Sequence, residues 1–213
     1  MLKTSNTENN ISNNSDIKET NNEANVNTIP IKLNDQPKHK KDNMLKELIS
    51  WVSLMIVAAA ISILINSFIM ANSLIPTGSM ENTIMTNDRV MGFRLAYLFN
   101  KPKRGDIVIF PFPDDENTLY VKRIIGLPGE TIHIIDGKVY INNAITPIDE
   151  PYLKEDMRGR FGPFVVPDEH YFMMGDNRNS SLDSRFWNNT YVHEDKLIAK
   201  VIFRYFPNFT ILN

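Results

Sequence analysis

The sequence predicts a mainly β protein, with a β-rich extracytoplasmic domain preceded by one N-terminal transmembrane helix. Two observations support this prediction. An apolar run from Leu48 to Ile65 carries no charge. From Ser73 onward, short β-branched and aromatic runs are separated by turn residues, a pattern typical of strands. The chain has 213 residues, enough for its β-rich part to bury a core.

The N-terminal third divides into a polar tail and an anchor. Residues 1–44 are rich in Asn, Thr, Ser, Glu and Lys and contain the basic cluster "PKHKK", so we expect a disordered tail. Residues 45–70 are long and apolar enough to cross a bilayer, which takes about 20 residues. The polar stretch before them is too long for a cleavable signal sequence, so we expect an uncleaved signal anchor. Because lysines precede the span, the positive-inside rule places the tail in the cytoplasm and residues 71–213 outside.

Five segments of the outer domain have the composition of strands. Asp136 and Gly137 separate two alternating runs, which predicts a two-residue hairpin turn. "FPDDEN" at 112–117 and "LPGE" at 127–130 predict further turns. The predicted strand regions are 106–112, 120–127, 131–142, 170–175 and 197–206.

Composition excludes several classes of function. A formal net charge of −2, from 23 basic and 25 acidic residues, does not favour nucleic-acid binding. The absence of cysteine excludes disulfides, thiolate metal sites and a cysteine nucleophile. The histidines, His39, His133, His170 and His193, are scattered, so we expect no metal site and no cofactor.

Ser79 is the first candidate for chemistry. It lies in "IPTGSMENTI", residues 75–84, where proline and glycine can hold a hydroxyl in a sharp, exposed bend. Any tight turn needs the same residues, so the composition is equally compatible with Ser79 as an ordinary turn serine. An alcohol is a poor nucleophile until a base removes its proton, and no histidine stands near Ser79 in the sequence.

A lysine can replace histidine as the base if burial keeps it neutral. Lys122 lies in the apolar run "YVKRIIGL". On a strand it shares a face with Tyr120 and Ile124, while Arg123 lies on the opposite face. Alternation alone does not decide which cation points inward. Arginine stays protonated, however, so of the two only Lys122 could be buried as a neutral base.

A polar loop follows a predicted strand at residues 173–187, "MMGDNRNSSLDSRFW". Residues 175–185 of this loop contain two Asp, two Arg and three Ser. Taken alone, the segment is also compatible with a polar loop built on an Asx turn. Placing so many polar groups beside an apolar strand is costly unless they satisfy one another.

Four stretches occur in order behind the anchor: "IPTGSMENTI", "RGDIVIF", "YVKRIIGLPGE" and "GDNRNSSLDSR". This series resembles the motifs of the bacterial type I signal peptidases, or leader peptidases, and covers nearly everything from about residue 45 onward. The resemblance implies a Ser–Lys endopeptidase on a β-rich fold, with Ser79 as nucleophile and Lys122 as general base. Thr77 and the Ser79 N–H would form the oxyanion hole.

The resemblance also implies supporting and substrate-binding residues. Ser181 would orient the lysine amine, Asp183 and Arg185 would form a supporting ion pair, and Arg123 would pair with Asp176. Gly175, Asp176 and Asn177 would shape the site, and the substrate pocket would be lined by Ile75, Pro76, Met80, Tyr120 and Val121. The family often has proline three residues after the nucleophile, whereas Asn82 stands here.

The implied partners are secreted preproteins, cut after small residues at the −1 and −3 positions, together with the bilayer and the nearby secretion translocon. The resemblance implies a single-pass protein of the cell membrane. Three alternatives remain open: a self-cleaving Ser–Lys autoprotease, a membrane-tethered binding module without activity, and a serine hydrolase that uses His133, His170 or His193.

Overall fold

A single long helix opens the part of the chain that the structure describes. The structure, a computed structural model, describes residues 39–212, with side chains from residue 43. Helix α1 spans His39–Leu64 and continues into a π-helical turn at Ile65–Ile69. Asn43–Ile69 is long and apolar enough to cross a membrane, and none of its apolar window is buried within the protein.

The helix begins before the predicted boundary at residue 45 and ends where the first strand starts, at Met70. Lysines favour helix nearly as well as leucine, so a helix can extend past its apolar segment. The predicted disorder of the tail concerns mainly residues 1–38, which lie outside the described residues.

The remainder of the described chain is built from strands and short 3₁₀ turns, which confirms the mainly β fold class. Eight strands form one sheet in the order β1-β2-β10-β3-β4-β8-β9, with β11 paired to β10, and three form a second sheet in the order β6-β5-β7. The strands are β1 Met70–Leu74, β2 Arg89–Phe93, β3 Ile107–Phe112, β4 Asp115–Gly126, β5 Thr131–Ile135, β6 Lys138–Ile141, β7 Phe161–Val165, β8 His170–Met174, β9 Val192–His193, β10 Ala199–Phe206 and β11 Thr210–Ile211.

The five predicted strand regions correspond to β3, β4, the β5–β6 hairpin, β8 and β10. Asp136 and Gly137 form the hairpin turn with φ values of 51° and 79°, the left-handed conformation that such a turn requires. The predicted turn at 112–117 is shorter, since β4 already begins at Asp115. Strands β1, β2 and β7 were not predicted, because polar residues, Gly92 and the Gly162-Pro163 pair interrupt their apolar pattern.

The carboxyl half of β4 is buried on both faces. Ile124 packs in one apolar cluster with Phe110 and Trp187, and Ile125 packs in another with Ile132. Strand β4 lies between β3 and β8 in the sheet, and Lys122 is opposite Val108. Any charged side chain in this half of β4 is therefore forced into the interior.

Candidate active site

Ser79 lies in a 3₁₀ turn, Gly78–Met80, between β1 and β2. The turn starts from Thr77, whose backbone is extended, and its approach is held by hydrogen bonds from Ile75 N to Asp88 O at 3.0 Å and from Asn87 N to Ile75 O at 2.8 Å. The Ser79 side chain is nearly buried. Its Oγ lies 3.4 Å from the Thr77 hydroxyl oxygen, so the two side-chain hydroxyls are adjacent in the site.

Lys122 reaches Ser79 from β4. A short hydrogen bond joins Lys122 Nζ and Ser79 Oγ, and the lysine is only 3 % exposed. Burial lowers the pKa of Lys122 to about 8, while Asp183 and Asp176 oppose this shift and Arg185 adds to it. About a tenth of the amine is therefore neutral at pH 7 and about half at pH 8, which gives the site a neutral amine of the kind that a general base requires.

Arg123, on the opposite face of β4, is also buried. Its Nε and Nη2 donate to the two carboxylate oxygens of Asp176 at 2.9 and 2.7 Å, and its Nη1 donates to Gly105 O at 2.7 Å. The Thr83 hydroxyl donates to the same carboxylate. Both cations of β4 thus point inward, one on each face, and the Arg123 guanidinium is paired with a carboxylate.

The loop after β8 holds the Ser79 turn from the other side. Asn177 N donates to Ser79 O at 3.1 Å, and Asn177 Nδ2 donates to Gly78 O at 3.0 Å. Gly175 passes so close that a Cβ there would collide with Ser79 O and with the Ser181 side chain. Only glycine fits at this position without displacing the backbone of the serine turn.

Asp183 and Arg185 form a buried ion pair behind this loop. Arg185 Nε donates to Asp183 Oδ1 at 2.7 Å, and Nη2 donates to Oδ2 at 2.8 Å and to Arg178 O at 2.7 Å. Asp183 also accepts a hydrogen bond from Gly175 N at 3.1 Å. The pair therefore fixes the position of the loop backbone that faces Ser79.

Ser181 is the one supporting residue whose expected contact is missing. Its hydroxyl is buried near Gly175 and makes no hydrogen bond within residues 39–212. The hydrogen bond to the Lys122 amine that the resemblance implies is not formed, and that amine is directed to Ser79 instead.

An apolar groove of about 380 Å³ opens over Ser79 and Lys122. All five residues predicted to bind substrate line it, and two of them, Ile75 and Met80, are buried. Three exposed leucines line it as well and were not predicted: Leu74, Leu119 and Leu182. Leu74 and Leu119 directly precede the quoted motifs, and Leu182 lies within one but has no role implied by the resemblance, so no sequence pattern indicates them.

His133, His170 and His193 are not among the residues that line the groove. Within the described residues, no group of three or more potential ligands could hold a metal ion.

Asn82, which stands where the motif often has proline, adopts a positive φ of 92°. Proline is restricted to φ near −65° and cannot adopt this conformation. The backbone after Ser79 therefore turns in a way that excludes proline at position 82.

The family model described as signal peptidase, peptidase S26, matches residues 48–206. The chain belongs to this family. A probable signal peptidase I-2 of Synechocystis sp. is 36% identical over 166 residues, covering 74% of this chain and 74% of that protein. The signal peptidase I of Bacillus licheniformis is 38% identical over 156 residues, covering 68% of this chain and 82% of that protein.

A solved signal peptidase I of Enterococcus faecalis is 33% identical, with a TM-score of 0.41, covering 47% of this chain and 97% of that chain. The family match and the relatives confirm the predicted family. As a signal peptidase I-type protein, the chain is a serine endopeptidase that removes signal peptides. Its apolar helix is suited to anchor it in a membrane.

Proposed function

We propose that this signal peptidase is a Ser–Lys enzyme of the cell membrane, with Ser79 as nucleophile and Lys122 as general base. The observation that carries the proposal is the hydrogen bond between Lys122 Nζ and Ser79 Oγ in a nearly water-free position. A lysine in contact with a serine hydroxyl, with its pKa lowered by burial, has both the geometry and the basicity to remove the serine proton.

The reaction begins when neutral Lys122 takes the proton of Ser79 as Oγ attacks the scissile carbonyl carbon. The resulting oxyanion accepts hydrogen bonds from the Thr77 hydroxyl and the Ser79 N–H. The position of Thr77 Oγ1, 3.4 Å from Ser79 Oγ, supports this role. Protonated Lys122 then donates its proton to the departing amine, leaving an ester on Ser79.

Hydrolysis of the acyl-enzyme repeats the proton transfer with water. Lys122 removes a proton from the attacking water, and the new oxyanion occupies the same hole. When the intermediate collapses, Lys122 returns the proton to Ser79 Oγ, which regenerates the free enzyme. Both halves of the reaction use one lysine and require no cofactor.

The substrate is the signal peptide of an exported preprotein, bound extended along the groove and cut after small residues at the −1 and −3 positions. The groove supports this proposal because its lining is mainly apolar and because buried Ile75 and Met80 line it beside Ser79. Backbone hydrogen bonds to an extended strand would supply affinity without selecting further side chains.

The same proposal places the N-terminal segment in the cytoplasm and the β-rich domain outside, close to the secretion translocon. The lysines before the span support this orientation by the positive-inside rule. The site then faces the membrane surface on which signal peptides emerge.

The test uses the detergent-solubilised full chain with a model preprotein and mass spectrometry of the products. We expect one cut after a small residue, and a loss of about 10⁴-fold or more in turnover for Ser79→Ala and Lys122→Ala. A variant with all three histidines of the outer domain replaced should keep its activity. Processing by Ser79→Ala at the wild-type rate would refute the assignment.

A further inference from the structure

The segment between β6 and β7, residues 142–160, contacts the loop that holds Ser79. Met157 in this β6–β7 segment is buried, and its Sδ accepts a hydrogen bond from Arg185 Nη1 at 3.0 Å. Arg158 N donates to Asn179 Oδ1 at 2.8 Å. The segment is therefore packed against the loop over residues 178–185 and is not a free surface connection.

Glu150 is the charged centre of this contact. Arg178 Nη2 and Nη1 donate to its two carboxylate oxygens at 2.5 and 3.1 Å. The side chains are only 1 % and 7 % exposed, so the pair is shielded from solvent. The Tyr152 hydroxyl donates to Glu150 Oε1 at 2.7 Å, and the Tyr152 ring lies 3.9 Å from the Arg123 guanidinium carbon.

Arg178 transmits this contact to the serine turn. Its Nε donates to Gly175 O at 3.0 Å, and Gly175 lies directly against Ser79 O. Two residues on, Asn177 N donates to Ser79 O at 3.1 Å. A continuous path of bonded groups thus runs from Glu150 through Arg178 and the loop backbone to Ser79.

Glu150 also neutralises part of the positive charge that is buried around this loop. Three guanidinium groups are buried around the loop, those of Arg123, Arg178 and Arg185. Asp176 pairs with Arg123, and Asp183 pairs with Arg185. Glu150 supplies the carboxylate for the third. A buried guanidinium that loses its counter-charge is strongly unfavourable, so Arg178 would move if Glu150 were neutral.

We propose that Glu150 is a positioning residue for signal peptide cleavage, an inference that rests on the roles proposed above for Ser79 and Lys122. By holding Arg178, Glu150 fixes the turn at 175–177 against the Ser79 carbonyl and so aligns Ser79 with Lys122. Tyr152 holds the Glu150 carboxylate in place. Glu150 is not among the residues that line the groove, and it acts through Arg178.

The test compares Glu150→Gln with the matched control Asp149→Asn, which changes the adjacent, exposed carboxylate. Both variants are assayed as full chains in detergent on the model preprotein, with kcat and KM measured separately. We expect Glu150→Gln to lower kcat by about 10²-fold with KM unchanged, because misplacement of reacting groups by about 1 Å has that effect. Asp149→Asn should match the wild type.

A second comparison shows whether Glu150 acts through Arg178. In an Arg178→Met background, Glu150→Gln should cause no further loss of kcat. If Glu150→Gln fails to fold, Tyr152→Phe replaces it, because that change removes only the hydroxyl that holds the carboxylate; we expect it to lower kcat several-fold.

The outcomes separate this inference from the proposed function. Ser79→Ala and Lys122→Ala are included in the same assay, and activity in either would refute the Ser–Lys mechanism itself. If both are inactive while folded Glu150→Gln keeps wild-type kcat, or changes only KM, the positioning role is wrong. Wild-type kcat in Tyr152→Phe overturns it in the same way if Glu150→Gln does not fold.

Discussion

Burial lowers the pKa of Lys122 to about 8, whereas the adjacent Arg123 is buried in an ion pair. The difference lies in their partners. Arg123 has a bidentate carboxylate, Asp176, whereas the Lys122 amine contacts an uncharged hydroxyl on Ser79. Without a direct counter-ion, desolvation dominates at Lys122 and favours the neutral amine.

Activity should therefore rise with pH. We expect kcat/KM to reach half of its plateau near pH 8, and to be about a tenth of the plateau at pH 7, because in the proposed mechanism only neutral Lys122 accepts the proton. The measurement is kcat/KM on a model preprotein from pH 6 to 9.5. A flat profile, or a half-maximum near the usual histidine pKa of about 6.5, would contradict the lysine base.

Folding stability should change in the same direction as activity, so it is measured separately. The folded chain releases the Lys122 proton near pH 8 and the unfolded chain releases it near 10.5, so the unfolded state binds more protons between these values. The contribution of Lys122 to the free energy of unfolding therefore rises with pH across that window. Thermal melts at each pH serve as the control.

Thr77 allows a second test at single-residue scale. Thr77→Val removes the proposed oxyanion donor and should lower kcat by about 10²–10³-fold. Thr77 is exposed, so the substitution should leave the melting temperature unchanged. Thr77→Ser keeps the hydroxyl and is the matched control, expected to retain most activity. Equal kcat in the valine and serine variants would exclude the hydroxyl from the oxyanion hole.

At the scale of elements, the site is assembled from a strand, a turn and a loop that pack together. Strand β4 supplies Lys122, the 3₁₀ turn supplies Ser79, and the loop at 175–185 holds the turn in place. The Arg123–Asp176 pair joins the strand to the loop with side chains only 2 % and 0 % exposed. The alignment of the site therefore depends on buried polar contacts between elements.

Asp176→Asn should be strongly destabilising because it removes the negative charge facing Arg123 in the interior. We expect a loss of about 3–5 kcal/mol in the free energy of unfolding, measured by denaturant titration in detergent. The control is Glu116→Gln, which removes a pair whose side chains are 62% and 46% exposed and should cost less than about 1 kcal/mol. Similar losses of unfolding free energy in the two variants would show that burial does not determine how much an ion pair contributes to stability.

The turn after Ser79 allows a test of backbone conformation. Asn82→Pro should lower stability by more than about 1 kcal/mol and reduce processing, because proline cannot adopt the φ of 92° found there. Asn82→Gly should retain both, since glycine adopts positive φ without strain. Thermal melting and preprotein cleavage check the two variants, and a fully active, stable proline variant would show that this turn is not required.

At the scale of the whole molecule, one apolar span precedes a catalytic domain built on two sheets. The span has no buried residues in its apolar window, so its stability depends on a nonpolar surrounding rather than on packing in the protein. The family match extends from residue 48, within this helix, to residue 206 near the end of the last long strand.

The orientation of the chain can be tested directly because it contains no cysteine. A single cysteine at Ile145, whose side chain is 97% exposed, should react with a membrane-impermeant maleimide in intact spheroplasts. A cysteine at Ser15 in the N-terminal segment should react only after lysis. The reverse labelling pattern would place the catalytic domain in the cytoplasm and contradict the proposed topology.

The features that the sequence predicted correctly are those that depend on residues close together in the chain. The apolar span, the Asp136-Gly137 hairpin and strands β3, β8 and β10 all follow from composition or period within a short window. The motif series named Ser79, Lys122 and the residues of the loop as candidates. It did not indicate Glu150 or Tyr152, because both lie in an irregular segment outside every motif.

Sequence alone thus determined the apolar helix, the β-rich class, the family and the candidate residues, since hydrophobicity, turn chemistry and motif order are local properties of the chain. Only the tertiary structure decided that β1 and β10 flank β2, that Lys122 and Arg123 are both buried, and that Glu150 pairs with Arg178. These features join residues far apart in the chain, and their energies depend on burial and on facing charges, which exist only once the sheets have formed.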